Sequence, residues 1–215
     1  MPALLRAALA AALLLGPLLP HARAEGLSWV VVTGVAEGDV LNVREAPDGD
    51  ARVLGALSPG ALVVSSGETA RSSVEWTRVA SGELEGWTAS RFLAPARFET
   101  LDDHRLPVAG ACGGVEPFWG ARWADGALTL TAPGEPDRTL PIASIPKAEG
   151  RPYGLIQAKG ERGAQVLLAY EETQCRDAVI DAPVLGRGAL IVIEGDETRW
   201  YSGCCRPAPG ALAVE

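Results

Sequence analysis

The sequence predicts an all-β protein made of two small β-barrel domains. Short apolar stretches alternate with turns rich in glycine and proline, of which the chain has 25 and 16. The alternation in Trp76-Thr77-Arg78-Val79 is typical of a half-buried strand. In the second half no stretch has a clear helical period, and candidate strands there include 165–170 and 189–193. All four cysteines lie in that half, so we expect it to be a disulfide-bonded antiparallel barrel or sandwich.

The first 24 residues are predicted to be a signal peptide. Arg6 is followed by an apolar run at 7–15, and Ala22-Arg23-Ala24 forms a small-x-small cleavage site. The run is broken by Gly16 and two prolines, so it is too short for a span of about 20 residues. The protein is therefore expected to be periplasmic or secreted, with no integral membrane segment after cleavage.

Patterning along the rest of the chain indicates two domains. Residues 94–110 show no clear period and gather polar side chains, which favours a linker. The end of the chain is rich in alanine, proline and glycine and is expected to be frayed. The predicted boundaries are a signal peptide at 1–24, a first domain at 25–93, a linker at 94–110, a disulfide-bonded all-β domain at 111–206 and a tail at 207–215.

The stretch 41–93 carries an ordered set of short motifs. Leu41-Asn42-Val43-Arg44 opens the set, Pro47-Asp48-Gly49 forms a turn, and Gly86-Trp87 with Phe92-Leu93 closes it. The set resembles the bacterial SH3-like (SH3b) domain, with a resemblance that extends over about 27–93, and this implies an SH3-like barrel that binds a ligand. The family usually has an aliphatic residue after its Gly-Trp pair, whereas Thr88 stands here.

Three residues of the first domain are candidates for ligand binding: Asn42, Arg44 and Trp29. The planar guanidinium of Arg44 suits a peptide carboxylate, but it could equally hold a neighbouring acid, Glu45 or Asp48. Trp29 could stack on a ligand, or it could pack in the core or between domains. Trp76 and Trp87 are interpreted as packing residues.

The four cysteines are expected to form two disulfides, because the signal peptide directs the chain to an oxidising compartment. Neither a Cys-x-x-Cys motif nor clustered histidine is present for zinc, so no metal site is predicted. Cys204 and Cys205 are adjacent, and a disulfide between them would be strained. Each is therefore expected to find a different partner, Cys112 or Cys175.

Three patches of the second half resemble an uncharacterised family of bacterial envelope proteins with a Gly-Thr-Glu-Pro-Phe-Trp-like strand. They are 112–119, 174–177 and 203–206. The domain is also distantly similar to META-type lipoprotein barrels and lysozyme-inhibitor barrels. The resemblance implies that Cys175 pairs with Cys204, which leaves Cys112 for Cys205. Val115 and the 178–181 turn depart from the family pattern.

Within that strand, Glu116 is a candidate ligand-binding residue or acid, against the alternative of an exposed or arginine-paired carboxylate. Phe118 and Trp119 could line a ligand groove, but they are expected to fill the core.

Common catalytic arrangements are not apparent in the sequence. His104 is the only histidine after the signal peptide and lies in the predicted linker. No serine or cysteine nucleophile that it would activate as a general base is evident from the sequence. No cofactor motif is present. The acidic chain, with a net charge of −8, is a poor ligand for nucleic acid.

The sequence therefore predicts a non-enzymatic protein that binds a cell-wall peptide or an envelope protein. The alternatives are an inhibitor of a lysozyme-like enzyme and a carboxylate-based wall hydrolase.

Overall fold

The computed structural model describes residues 26–101, 106–147, 149 and 153–213. The predicted signal peptide and His104 lie outside these residues. Within them the chain forms strands and three short 3-10 turns, without an α-helix. No helical segment in this part of the chain has the length and hydropathy to cross a bilayer.

The first domain is a seven-stranded antiparallel sheet. Its strands are hydrogen-bonded in the order β3-β2-β6-β5-β4-β1-β7. They are β1 (Ser28–Val32), β2 (Leu41–Arg44), β3 (Val53–Leu57), β4 (Leu62–Arg71), β5 (Glu75–Ser81), β6 (Leu84–Ala89) and β7 (Leu93–Pro95).

One face of this sheet forms the core of the first domain. Residues from β1 to β5 share a single buried cluster, which includes Val32, Val43 and Val79. No side chain of the second domain belongs to that cluster, so the sheet must curl over its own apolar face. The sequence predicts a barrel here, and the structure has a curled sheet whose hydrogen-bonded order ends at β3 and β7 rather than closing.

The second domain is a closed eight-stranded barrel in which each strand pairs with the next and the last pairs with the first. This selects the barrel over the sandwich. Its strands are β8 (Gly110–Val115), β9 (Phe118–Ala124), β10 (Ala127–Thr131), β11 (Arg138–Ser144), β12 (Tyr153–Lys159), β13 (Gln165–Asp177), β14 (Ala182–Glu194) and β15 (Glu197–Pro207).

Two disulfides connect strands of the barrel. Cys112 and Cys205 face each other across the β8–β15 seam and lie in the core. Cys175 of β13 is joined to Cys204 of β15. This is the pairing that the family resemblance implied, and the adjacent cysteines have different partners because successive strand residues point to opposite faces.

The described residues of the predicted linker and of the predicted tail are connected by backbone hydrogen bonds. Phe98 forms a β-bridge with Leu212, and the backbone N–H of Ala213 donates to the carbonyl of Arg97. Leu106 and Ala211 are completely buried. The expectation of a frayed tail is therefore wrong up to residue 213, because the two segments satisfy each other's backbone groups.

The two domains pack through the outer face of the first sheet. Because strand residues alternate, Val30 and Val32 face the first core and Trp29 faces the opposite side. Trp29 is the cross-strand partner of Val64, and both pack against Leu185 of β14. A hydrogen bond of 3.0 Å from the indole Nε1 of Trp29 to the carbonyl of Leu185 joins the domains.

Candidate binding face on the first domain

The outer face of β2, β6 and β5 carries a row of three large polar or aromatic side chains. Trp87 is the register partner of Arg44 on one side and of Arg78 on the other. All three side chains are half-buried. We call this set the Arg-Trp-Arg row.

Two local features of the sequence position the row. Leu41 and Val43 are buried, so Asn42 and Arg44 face outward on β2. Gly86 lets β6 approach β2, because a Cβ at this position would lie 2.5 Å from the carbonyl oxygen of Arg44. This close approach sets Trp87 beside Arg44.

The two arginines of the row differ in their partners. Arg78 makes ion pairs with Glu68 at 3.2 Å and Glu85 at 2.7 Å. The hydrogen bond to Glu68, together with the charge of Glu85, raises the pKa of the Arg78 guanidinium despite some desolvation. The positive charge of Arg78 is therefore balanced by two carboxylates of the protein itself.

Arg44 has no acidic partner among the described residues. Its Nη1 donates to the carbonyl of Ala51 at 2.7 Å, which braces the β2–β3 hairpin. Glu45 instead pairs with Arg52 at 3.1 Å, and this hydrogen bond lowers the pKa of the Glu45 carboxyl. Asp48 accepts the backbone N–H of Asp50. The pairing of Arg44 with either acid, left open by the sequence, is thus not formed, and its guanidinium has no other hydrogen-bond partner among the described residues.

A comparison with protein-family models finds a match in this region. Residues 39–94 match the bacterial SH3 domain. The match covers about a quarter of the chain and includes β2 to β6, hence the whole Arg-Trp-Arg row. It begins after β1, although β1 lies between β4 and β7 in the sheet. Searches of curated proteins and of solved structures found no match, so the family resemblance of the second half stays a prediction.

The other predicted site residues lie apart from one another. Asn42 is exposed on the outer face of the bacterial SH3 domain, two residues before Arg44. Trp29 has only 9% of its surface exposed and packs between the domains, so its ring is covered and the packing interpretation describes it. Glu116 is exposed in the turn between β8 and β9 of the other domain.

Sequence reasoning missed two features of the surface. Trp87, interpreted as a packing residue, lies half-exposed beside Arg44. The alternation in β6 could have revealed it, since Gly86 and Thr88 face inward and Trp87 between them must face outward. Phe118, expected in the core, is 59% exposed, whereas its neighbour Trp119 is buried as expected.

The described residues contain no group of three or more histidine, cysteine or acidic residues that could hold a metal ion. All four cysteines are in disulfides.

Proposed function

We propose that this protein is a non-enzymatic, periplasmic or secreted binding protein whose bacterial SH3 domain holds a cell-wall peptide or an envelope protein. The observation that carries the proposal is the environment of Arg44. Within the domain that matches the bacterial SH3 family, this residue is a half-buried arginine beside an aromatic ring and without an acidic partner among the described residues.

The chemistry of the face suits a peptide with a carboxylate. The Arg44 N–H groups that have no partner in the described residues can donate to carboxylate oxygens, and such charge-assisted hydrogen bonds are stronger than neutral ones. Trp87 offers an apolar face next to it, and the Asn42 amide can both donate and accept. Since Arg78 is already paired with two glutamates, Arg44 is the cation of the row that remains for a ligand.

The proposal includes no catalytic step. The four cysteines are in disulfides, which leaves no thiolate nucleophile among them. The single histidine beyond the predicted signal peptide has no evident nucleophile in the sequence.

Co-sedimentation with purified peptidoglycan tests the proposal. The wild-type chain should sediment with the wall, and Arg44→Ala should weaken binding about tenfold or more, since a charge-assisted hydrogen bond contributes about 1.5–3 kcal/mol. Asn42→Ala should weaken it less. Arg52→Ala is the matched control, because Arg52 lies on the same hairpin but is exposed and paired with Glu45.

Three results would contradict this proposal in different ways. Equal binding by the Arg44 and Arg52 variants would remove the assigned face. Soluble sugars or peptides above a buffer control would show an enzyme. Absence of sedimentation would exclude the wall peptide, and a pull-down from an envelope fraction with the Arg44→Ala chain as control would then test the protein partner.

A second candidate function, inhibition of a wall-degrading enzyme, is favoured by the turn between β8 and β9. Glu116, Pro117 and Phe118 are all exposed there, as a segment that enters an enzyme cleft must be. Protection of wall suspensions from lysozyme, lost in Glu116→Ala, would support this function.

A further inference from the structure

The two ends of the eight-stranded barrel are filled differently. At the end where the chain enters, Leu106 is completely buried and packs against Gly154. Trp123 and Tyr170 contact each other nearby, and the Trp123 indole donates to the carbonyl of Pro107 at 2.8 Å. Large side chains of the core thus occupy the barrel interior at this end, and a cavity of about 340 Å³ lies beside them at the β9–β10 turn.

The opposite end contains a cavity, which we call the mouth cavity. It has a volume of about 510 Å³ and opens between the β8–β9 turn and the β10–β11 loop. Its inner wall consists of core residues, and its outer wall includes Pro133 and Pro136 of the loop. The inner wall is made by Trp119, Leu130, Leu190, Val192 and Tyr201.

The size and shape of the mouth cavity suit a small molecule. Ligand sites commonly have volumes of about 300–1,000 Å³ and are lined by apolar and aromatic side chains. An eight-stranded barrel is either filled by its own side chains or has room for one small ligand. Here large side chains occupy the interior at the entry end, and the mouth has the larger space, about 510 Å³ against about 340 Å³.

The charged groups around the mouth cavity indicate which head group a ligand can carry. Arg138 and Arg199 both bind the carboxylate of Glu194. These hydrogen bonds, first of all that from Arg138, lower the pKa of the Glu194 carboxyl. Asp137 pairs with Arg122 at 3.5 Å. Among the described charged residues of the lining, Glu135 is the one without an ion pair, so the rim offers no unpaired cation to an anionic head.

We infer that the mouth cavity binds one small, uncharged, predominantly apolar molecule. The site is separate from the Arg-Trp-Arg row and does not depend on the function proposed for the SH3 domain. The apolar inner wall provides the affinity, because it removes apolar surface of the ligand from water. The self-paired arginines and Glu135 disfavour an anionic ligand.

Titration of the full chain with the neutral fluorescent probe N-phenyl-1-naphthylamine tests the inference. We expect a saturable rise in emission with one site per chain. Dodecanol should displace the probe at concentrations at least tenfold lower than laurate, which has the same chain length and an anionic head at pH 8. Absence of a saturable rise would overturn the inference, and equal displacement by the two competitors would overturn its preference for uncharged ligands.

Two variants locate the probe. Leu130→Trp fills the cavity and should weaken probe binding at least tenfold. Trp200→Ala is the control, because Trp200 is 74% exposed on the outer side of β15 and could attract a dye nonspecifically. Unchanged binding by the Leu130 variant, or loss in the Trp200 variant, would place the probe elsewhere. If circular dichroism shows that Leu130→Trp does not fold, the smaller change Leu130→Phe is measured instead. It should also weaken probe binding.

Discussion

At the scale of single residues, Thr88 of the bacterial SH3 domain has a buried hydroxyl without a hydrogen-bond partner among the described residues. Thr88 occupies the position after the Gly-Trp pair, where the SH3-like family usually has an aliphatic residue. A buried unpaired hydroxyl loses its hydration without compensation.

Replacing Thr88 by valine should therefore raise the free energy of unfolding by about 1–2 kcal/mol, because the change removes the desolvated hydroxyl and nearly conserves shape. Urea unfolding of the wild-type protein and of the Thr88→Val variant measures this difference. Thr77, the cross-strand partner of Thr88, is a matched control, since its hydroxyl shares a hydrogen bond of 2.7 Å with Ser90. Thr77→Val should destabilise by about 1 kcal/mol. Destabilisation by Thr88→Val would show that the hydroxyl has a partner.

Tyr170 is expected to make the free energy of unfolding decrease at alkaline pH. Burial in the barrel core, and secondarily the charge of Glu172, raises the pKa of the Tyr170 phenol. The unfolded chain ionises this tyrosine at a pH of about 10, before the folded chain does. The stability contributed by the neutral phenol is present below that pH and is lost as the pH rises above it.

Tyr170→Phe should abolish part of the decrease in unfolding free energy above pH 10. Unfolding measured in guanidinium at pH 8 and pH 11 checks this, and Tyr153→Phe, at a tyrosine that is only partly buried, is the control. The same alkaline loss in the wild-type chain and in Tyr170→Phe would assign that loss to other groups.

At the scale of elements, the long strands β13 and β14 extend beyond their predicted cores. The sequence predicts strands at 165–170 and 189–193, and the structure has thirteen-residue strands at Gln165–Asp177 and Ala182–Glu194. The register of β13 against β14 shifts between Glu171 and Gln174. Beyond this shift the strand continues through polar residues, which have no apolar alternation to predict it from the sequence. The Cys175–Cys204 disulfide ties this extension to β15.

The two disulfides should contribute differently to stability. In the chain-entropy account, a bridge across 93 residues stabilises by about 4–5 kcal/mol and one across 29 residues by about 3–4 kcal/mol. The double variant Cys112→Ala/Cys205→Ala should therefore be the less stable of the two. It also lacks the link across the β8–β15 seam that closes the barrel. Urea unfolding of both double variants under oxidising conditions measures the order, and the reverse order would contradict the prediction.

At the scale of the whole molecule, Trp29 couples the two domains. Its ring packs with Val64 and Leu185, and its indole N–H has a partner in the other domain. The segments that join and end the domains add the Phe98–Leu212 bridge. The domains are therefore expected to behave as one unit rather than as two bodies on a flexible connection.

Trp29→Ala should destabilise the first domain by about 3 kcal/mol, because it removes a large buried side chain and leaves the Leu185 carbonyl unpaired. In calorimetry, we expect the single unfolding transition of the wild-type chain to separate into two in the Trp29→Ala chain. Trp200→Ala, at an exposed tryptophan, should change stability by no more than about 0.5 kcal/mol. Similar effects of both substitutions would show that the interface does not couple the domains.

Much of the candidate binding face could be predicted from the sequence, and some of it could not. Asn42 and Arg44 were identified from the opening motif of the SH3-like set, and alternation along β2 is enough to place them on one face. Their relation to Trp87 depends on the register between β2 and β6, which joins residues more than forty positions apart. Nothing within either strand specifies that register by itself.

Sequence patterns alone were sufficient to predict the all-β class, the two domains, the bacterial SH3 region and the separate partners of Cys204 and Cys205. These depend on alternation, turn residues and motifs that act within a few positions. The folded chain was needed to show that Trp29 is covered by Leu185, that the tail pairs with the predicted linker and that the barrel contains a cavity at its mouth. These contacts join residues far apart in the chain, and their selection depends on the packing of both domains at once.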